Sequence, residues 1–159
     1  MIPRPPRSPL FPSTTLFRSG GAVDPHACYL LERGIRTLHA RMPIHVSNSL
    51  EIATRLEDHP MIESVNHPSL ASHPQHDVAQ RIMPKGTGMC SFVVKGGDGA
   101  ALKFMRSLNI IFEATSLGCI RSLVECPSNS SHSFVPEEVR SEAGVVPGFV
   151  RMSIGIEDL

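Results

Sequence analysis

The sequence predicts an α+β fold in which helices pack mainly on one face of a sheet. Short runs of β-branched and apolar residues, which are typical of strands, alternate with segments whose apolar residues recur at helical spacing. The connections between these segments are short, which favours one layer of helices against one sheet. The predicted order is helix–strand–helix–strand–helix–strand–strand–helix–strand.

The length and charge of the chain limit its possible functions. Its 159 residues are enough for one domain with a hydrophobic core. The chain carries 15 basic and 15 acidic residues, so its zero net charge favours neither nucleic acid nor an anionic membrane as a partner. No apolar run approaches the length of a membrane span. The four cysteines lack C-x-x-C spacing, and we interpret them as reduced thiols of a cytoplasmic protein.

Residues 1–19 differ from the rest of the chain because they contain five prolines, which disfavour helix and strand alike. The prolines also interrupt the apolar centre that a signal peptide would need. The segment resembles a translated synthetic sequencing adapter, and the alternative is a genuine disordered leader. We therefore expect the native domain to occupy residues 20–159.

The first helical region is predicted around a proline. Asp24 is placed to cap a helix that has Pro25 at its first position. An apolar stripe at helical spacing follows, made of Cys28, Leu31, Ile35, Leu38 and Met42. Pro43 interrupts the pattern, so we expect a kink or a break there. A second helical piece is predicted over 44–57, and its inward residues are Val46, Leu50, Ala53 and Leu56.

The middle of the chain alternates short strands and helices. Strands are predicted at residues 61–65, 89–94, 110–114 and 121–125, and helices at residues 75–82, 99–107 and 136–144. The Gly96-Gly97 pair is too weak a signal for a phosphate loop and is interpreted as a turn. His73 and His76 could hold a metal, but only Asp77 supports them, so a structural loop is favoured and no metal ligand is assigned.

The last predicted strand carries the main candidate for a binding residue. In residues 148–157, apolar residues alternate at period two. One face would carry Val150, Met152, Ile154 and Ile156, and the other Phe149, Arg151, Ser153 and Gly155. The guanidinium of Arg151 could grip a carboxylate with two parallel hydrogen bonds. The alternative is that Arg151 is an ordinary solvated residue of the sheet.

Two segments resemble a known enzyme family. Residues 146–158 (Val-Pro-Gly-Phe-Val-Arg-Met-Ser-Ile-Gly-Ile-Glu-Asp) and residues 24–38 resemble motifs of the pyridoxal-phosphate (PLP) enzymes of trans-sulfuration. That family includes cystathionine γ-synthase, cystathionine γ-lyase, methionine γ-lyase and the homoserine sulfhydrylases. The resemblance implies the small C-terminal domain of the aspartate-aminotransferase-like (fold type I) PLP enzymes. A long kinked helix would precede this domain and link it to the large cofactor domain.

The resemblance also implies substrate-binding residues. In the family pattern the arginine of the last strand, here Arg151, holds the α-carboxylate of the substrate. The serine of Ser-Leu-Gly, here Ser116, lies beside it and can offer a hydroxyl and backbone groups. Relatives that cleave the β-bond of cystathionine often have an aromatic residue at the position of Leu117, so Leu117 favours the γ-reacting branch.

Two positions depart from the family pattern. Arg121 stands where many relatives have an acid, which argues against preference for a distal ammonium group in the substrate. Ser131 and His132 stand in a segment that reads His-Pro-Ala-x-Met-Thr-His in relatives and Cys-Pro-Ser-Asn-Ser-Ser-His here. His132 could tune the site, although a structural histidine is the commoner case.

PLP is the cofactor that the resemblance implies, but its covalent site is not found in this sequence. The family places the Schiff-base lysine in an upstream Ser-x-Thr-Lys segment, whereas Lys85, Lys95 and Lys103 stand in other contexts. We therefore assign no catalytic and no cofactor-binding residue. The parent enzyme is expected to catalyse γ-elimination or γ-replacement on sulfur amino acids or activated homoserine as a homotetramer. The chain alone is expected to be inactive.

Two alternatives remain open from the sequence. The chain could be a stand-alone amino-acid-binding or oligomerisation module without catalysis. It could instead be a misassembled fragment without function, in which case an apolar face would be exposed and the chain should aggregate.

Overall fold

The fold was analysed in a computed structural model that describes residues 23–159. The described residues divide into two compact units, with the boundary between His39 and Ala40. The predicted leader, residues 1–19, lies outside the described residues.

Helix α1 (Pro25–Arg36) begins as the sequence predicts. Asp24 Oδ1 accepts the backbone N–H groups of His26 at 2.8 Å and Ala27 at 3.1 Å, which satisfies two of the free donors at the helix start. The predicted apolar stripe is exposed on this helix, at Cys28, Leu31 and Ile35. The capped start is thus confirmed, whereas the stripe does not form a core.

Helix α2 (Leu38–Glu57) runs through Pro43 without interruption. A break at Pro43 is therefore wrong, and the gap in helical structure falls at Thr37 instead. Proline removes one N–H donor, and near the start of a twenty-residue helix this single loss does not end the helix. A kink at Pro43 stays a prediction.

The inward face of α2 also differs from the prediction. Its buried residues are His45, Ser49 and Ala53, which recur every four residues, whereas Leu50 is exposed. Val46 and Leu56 are half-buried. The hydrophobic pattern missed His45 because its ring is polar, but His45 Nδ1 lies 2.6 Å from the carbonyl oxygen of Ile154, so the buried ring has a hydrogen-bond partner.

Five strands of the described chain form one mixed sheet. They are β1 (Ile62–Asn66), β2 (Met89–Val94), β3 (Phe112–Glu113), β4 (Leu123–Glu125) and β5 (Phe149–Ser153). Their order is β1-β2-β5-β4-β3, antiparallel except for the β3–β4 pair. The remaining elements are α3 (His76–Ile82), α4 (Gly97–Ser107), a 3₁₀ turn (Pro127–Asn129) and α5 (Glu137–Glu142). Strands β3, β4 and β5 are shorter than predicted.

The hydrophobic core lies on one face of this sheet, which we call the covered face. Phe92 of β2 and Val150 and Met152 of β5 pack there with Ala53 of α2 and Met105 of α4. Helices α2 and α4 therefore lie on the same side of the sheet, as the α+β prediction requires. No helix among residues 23–159 is both long and apolar enough to span a membrane.

Strand β5 is fixed at its start by a tight approach. Gly148 has φ +84°, and its N–H donates to Asp98 Oδ1 at 2.6 Å. A Cβ atom at this position would collide with the carbonyl oxygen of Val94. Only glycine fits here without strain, so Gly148 sets where β5 begins and which residues follow on each face.

Candidate functional site

The face of the sheet opposite the core carries a row of polar residues. Residues paired directly across neighbouring strands share a face. Asn66 pairs with Ser91, Ser91 pairs with Arg151, and Arg151 pairs with Glu125. We call these four residues the polar row. The alternation predicted from the sequence thus places Arg151 on the face away from the core, since Val150 and Met152 are buried on the covered face.

Arg151 forms an ion pair with Glu125 at one end of this row. Arg151 Nη2 lies 2.6 Å from Glu125 Oε1, and the two side chains are 32% and 2% exposed. Despite this distance, no donor is aligned to make a hydrogen bond to Oε1, so the contact is electrostatic rather than directional. Glu125 Oε2 accepts a hydrogen bond from Ser130 Oγ at 3.0 Å. Glu125 is therefore a buried carboxylate that is paired with Arg151.

Sequence reasoning missed Glu125. The available signal was an acidic residue in a strand whose neighbours Val124 and Cys126 are apolar, because such an acid is seldom buried without a partner. Glu125 is the last residue of the predicted strand, a position where a carboxylate can also reach water.

The loop that contains Ser116 and Leu117 is held beside Arg151 by two hydrogen bonds. Arg151 Nη2 donates to the carbonyl oxygen of Thr115 at 3.1 Å, and the N–H of Gly118 donates to Ser153 Oγ at 2.9 Å. These bonds fix the loop on both sides of Ser116 and Leu117, both of which are exposed. The structure thus places the loop that carries Ser116 and Leu117 beside Arg151 of β5.

A cavity of about 300 Å³ adjoins Arg151 on the side of β2. Its lining residues come from β1, β2, β5 and the loops before β2: Asn66, Pro68, Met83, Thr87, Met89, Cys90, Ser91, Phe149 and Arg151. Arg151 therefore stands between Glu125 and an open cavity of mixed lining. A cation next to such a cavity suits a small molecule that has a carboxylate and an apolar side chain.

The described residues do not fit the binding of PLP. The cofactor needs a lysine in a pocket, but the three lysines are exposed, and Lys95 Nζ donates to the carbonyl oxygen of Pro60 at 2.7 Å. Neither Lys85 nor Lys103 lines the cavity beside Arg151. The cavity beside Arg151 therefore contains a cation but no lysine that could form the Schiff base.

Arg121, Ser131 and His132, which depart from the family pattern, make contacts with residues other than Arg151. The guanidinium carbon of Arg121 lies 5.2 Å from the ring centroid of Phe112, which is a cation–π contact at the β3 edge of the sheet. Ser131 Oγ lies 2.9 Å from His132 Nδ1. His76 Nδ1 lies 2.8 Å from the carbonyl oxygen of Leu70, so this ring makes a hydrogen bond near its own loop.

The chain that leaves β5 is fixed by a second polar cluster. Glu157 accepts hydrogen bonds from the N–H and the hydroxyl of Ser122 at 2.6 and 2.9 Å, and the N–H of Gly155 donates to Ser122 Oγ at 2.8 Å. Partial burial raises the pKa of the Glu157 carboxyl, but the hydrogen bonds from the backbone and from Ser122, with the charge of His45, outweigh burial and lower this pKa below its usual value. Both ends of β5 are therefore anchored by carboxylates, Asp98 before it and Glu157 after it.

Comparison with known proteins identifies the family that the chain resembles. The family model described as Cys/Met metabolism PLP-dependent enzyme matches residues 13–159, a range that overlaps the end of the predicted leader. Cystathionine γ-lyase of Dictyostelium discoideum is 41% identical over 140 residues, covering 88% of this chain and 36% of that protein. L-methionine γ-lyase of Pseudomonas deceptionensis is 41% identical over 141 residues, covering 89% and 35%.

The solved structures show the same relationship. A cystathionine γ-lyase from Micromonospora echinospora superposes with a TM-score of 0.82 at 32% identity, covering 89% of this chain and 37% of that one. The chain spans about a third of the length of the curated relatives that it matches. Because the family model covers most of residues 1–159, this chain belongs to the family of Cys/Met metabolism PLP-dependent enzymes.

Proposed function

We propose that this chain is the C-terminal part of a PLP-dependent enzyme that catalyses γ-elimination or γ-replacement on sulfur amino acids or activated homoserine. In this proposal Arg151 and Ser116 anchor the α-carboxylate, and Leu117 lies against the substrate. The observation that carries the proposal is the hydrogen bond from Arg151 Nη2 to the carbonyl oxygen of Thr115, which holds the Ser116 loop next to the guanidinium. PLP and its lysine would come from the part of the enzyme outside this chain.

Anchoring the carboxylate orients the rest of the substrate. A planar guanidinium and a neighbouring hydroxyl restrict the position of the α-carbon, and such positioning replaces a search over many orientations by a single productive one. In this proposal β5 carries the arginine on a rigid strand, with both ends of the strand anchored. That arrangement suits an interaction which must hold its geometry to within a fraction of an ångström.

The names of the relatives support the substrate class. The relatives compared above are cystathionine and methionine γ-lyases, and a cystathionine γ-lyase from Lactobacillus plantarum with a TM-score of 0.82 to this chain was solved in complex with L-serine. An α-amino acid is therefore the ligand class that we infer for Arg151. By the same family relationship, the parent enzyme is proposed to be a cytoplasmic homotetramer, with residues 20–159 forming its small C-terminal domain.

A chimaeric enzyme tests this proposal. Residues 20–159 would replace the matching C-terminal region of the Dictyostelium cystathionine γ-lyase, and cleavage of cystathionine with PLP would be measured. We expect the chimaera to be active, the Arg151→Lys chimaera to lose most of its kcat/KM, and the full chain alone to show no turnover with added PLP. Turnover by the chain alone would contradict the proposed division of the active site.

One observation favours a second candidate function, a stand-alone amino-acid-binding module. Nine residues of this chain line the cavity beside Arg151, so a small carboxylate could bind without the rest of an enzyme. Titration of the full chain with L-methionine distinguishes the two functions. Saturable binding that is lost in Arg151→Lys, together with an inactive chimaera, would favour the binding module over the enzyme part.

A further inference from the structure

We propose that Glu125 is a positioning residue that holds the guanidinium of Arg151 in the orientation in which it receives a carboxylate. The inference rests on the proposed role of Arg151 and adds a residue that neither the sequence pattern nor the family motif pointed out.

Glu125 is itself rigidly held. It is the last residue of β4, and the 3₁₀ turn that follows (Pro127–Asn129) reverses the chain so that Ser130 returns over the Glu125 side chain. Ser130 Oγ lies 3.0 Å from Glu125 Oε2 and 3.0 Å from the carbonyl oxygen of Cys126. The carboxylate is 2% exposed, so its orientation is fixed by packing and by the serine.

A buried carboxylate constrains the cation beside it. Glu125 Oε1 has no aligned hydrogen-bond donor, and Arg151 Nη2 at 2.6 Å provides its charge compensation. Leaving such a carboxylate without a cation is strongly unfavourable, because the interior does not replace the water that the charge has lost. Rotamers that take Arg151 away from Glu125 are therefore disfavoured.

The constraint leaves part of the guanidinium available. Nη2 is in contact with Glu125 and with the carbonyl oxygen of Thr115, whereas Nε and Nη1 contact no acceptor among the described residues. The cavity lies on the β2 side of Arg151, across the guanidinium from Glu125. Glu125 thus fixes one side of the group and leaves the donors of the other side for a ligand.

Two opposing effects decide whether Glu125→Gln raises or lowers the Kd for a carboxylate ligand. The charge of Glu125 repels a ligand carboxylate across the guanidinium, which weakens binding by roughly threefold if the two charges are about 7 Å apart and water in the open cavity screens them as bulk water does. Ordering a free arginine side chain would weaken binding by roughly tenfold or more, because its rotamer entropy would have to be lost on binding. Positioning is the larger effect, so Glu125→Gln should raise the Kd for a carboxylate ligand about threefold.

Nitrogen-15 NMR of the arginine side chains in the full chain tests the positioning directly. In the unsubstituted chain, rotation about the Nε–Cζ bond of Arg151 should be slow enough to give separate Nη1 and Nη2 signals. In Glu125→Gln these signals should merge at the same temperature, while thermal unfolding stays cooperative. Ser130→Ala removes only the hydrogen bond to Glu125 Oε2, so its Arg151 signals should merge less completely. This variant replaces Glu125→Gln as the test if Glu125→Gln fails to fold. Unchanged, separate Arg151 signals in both variants would overturn the proposal.

Binding of L-methionine provides the second measurement, with Arg151→Lys as the control that retains the charge but lacks the planar fork. A threefold weaker Kd in Glu125→Gln supports positioning, whereas equal or tighter binding would overturn it and make Glu125 a competitor of the ligand. If the unsubstituted chain binds no methionine, the carboxylate-binding role of Arg151 in this chain fails. The NMR signals still decide whether Glu125 orients Arg151.

Discussion

The two faces of β5 differ in how they are stabilised. On the covered face Val150 and Met152 are 0% and 3% exposed, and they pack with residues of α2 and α4. On the opposite face Arg151 is 32% exposed, and its neighbours in the polar row are Ser91 and Glu125. Residues adjacent in sequence therefore serve different purposes, because successive side chains of a strand point in opposite directions.

The difference leads us to expect that substitutions on the two faces affect different properties of the chain. Burial of a large apolar side chain contributes about 1.5–3 kcal/mol, without any required direction of contact. An ion pair that reaches the surface contributes about 0–1 kcal/mol, but it restricts where a charged group can lie. We therefore expect substitutions on the covered face to change stability and substitutions in the polar row to change binding, with Arg151 and Glu125 as an informative exception.

The largest effect is expected from Phe92→Ala on the covered face. Phe92 is 1% exposed and meets Phe104 edge to face, with ring centroids 5.8 Å apart. Removing the ring leaves a cavity in the core and should lower the free energy of unfolding by about 3–5 kcal/mol. Urea denaturation followed by circular dichroism measures this change.

The matched control is the preceding residue on the other face. Ser91→Ala removes one hydroxyl from the polar row and should change the free energy of unfolding by less than about 0.5 kcal/mol. Equal losses for Phe92→Ala and Ser91→Ala would show that the two faces do not differ in their contribution to stability.

The second-largest effect is a difference in stability loss between substitutions of the two partners of the ion pair. Arg151→Met leaves the buried carboxylate of Glu125 without its cation and should destabilise the chain by about 3 kcal/mol. Glu125→Gln leaves a partly exposed arginine that water can solvate, so its cost should be about 1 kcal/mol. Urea denaturation of both variants measures the difference, and Arg151→Lys, which keeps a positive charge, should fall between the unsubstituted chain and Arg151→Met.

The outcome that would contradict this asymmetry is a larger loss for Glu125→Gln than for Arg151→Met. Such a result would mean that the packing and hydrogen bonding of Glu125 with Ser130 matter more than the charge of Arg151.

The sequence predicted the elements that depend on local patterns. Alternation at period two predicted that Val150 and Met152 are buried and that Arg151 points to the other face. Strand β2 begins and ends where the residue types predicted, at Met89 and Val94. These features follow from side-chain direction within a single strand, which a local sequence contains in full.

The features that the sequence did not predict depend on contacts between distant segments. Glu125 and Arg151 are 26 positions apart, and they meet only because β4 pairs with β5 in this register. The residues inward on α2 include His45, whose partner is the carbonyl oxygen of Ile154. A hydrophobic pattern cannot identify a buried polar residue whose partner lies in another element. The roles of Arg151, Ser116 and Leu117 remain predictions, although the structure places the loop that carries Ser116 and Leu117 beside Arg151.

A third, smaller effect concerns a buried histidine next to the cavity. His67 is fully buried, and its ring accepts the N–H of Ser69 and lies 3.4 Å from the carbonyl oxygen of Thr87. Burial, and to a lesser degree the charge of His73, lowers the pKa of His67 below the ordinary value of 6.5, although the hydrogen bond to Thr87 opposes this shift. Since the unfolded chain binds this proton more readily, stability should fall as pH drops below about 6.5, by at most about 1.4 kcal/mol per pH unit.

Urea denaturation between pH 7.5 and pH 5.5 measures this dependence. His67→Gln should be less stable at every pH but should show a flatter dependence in this range, because the titrating group is gone. A stability that rises on acidification of the unsubstituted chain would mean that the pKa of His67 is raised by folding rather than lowered.

The smallest expected effect is a difference in thiol reactivity between two cysteines. One lies on the covered face, and the other lies in the loop next to Arg151. Burial raises the pKa of the Cys90 thiol to about 12, and Cys90 is 2% exposed. Cys119 follows Gly118 in the loop next to Arg151 and is exposed. Because the thiolate is the reactive form, iodoacetamide should modify Cys119 in the folded chain and Cys90 only after unfolding.

Mass spectrometry of peptides from briefly treated protein measures both modifications, and protein unfolded in urea provides the control. Comparable modification of Cys90 and Cys119 without urea would show that the covered face opens on the timescale of the reaction. Cys90 of β2 pairs with Met152 of β5, the strand that carries Arg151. Opening at Cys90 would therefore mean that β5 also loses its packing on the covered face during such openings.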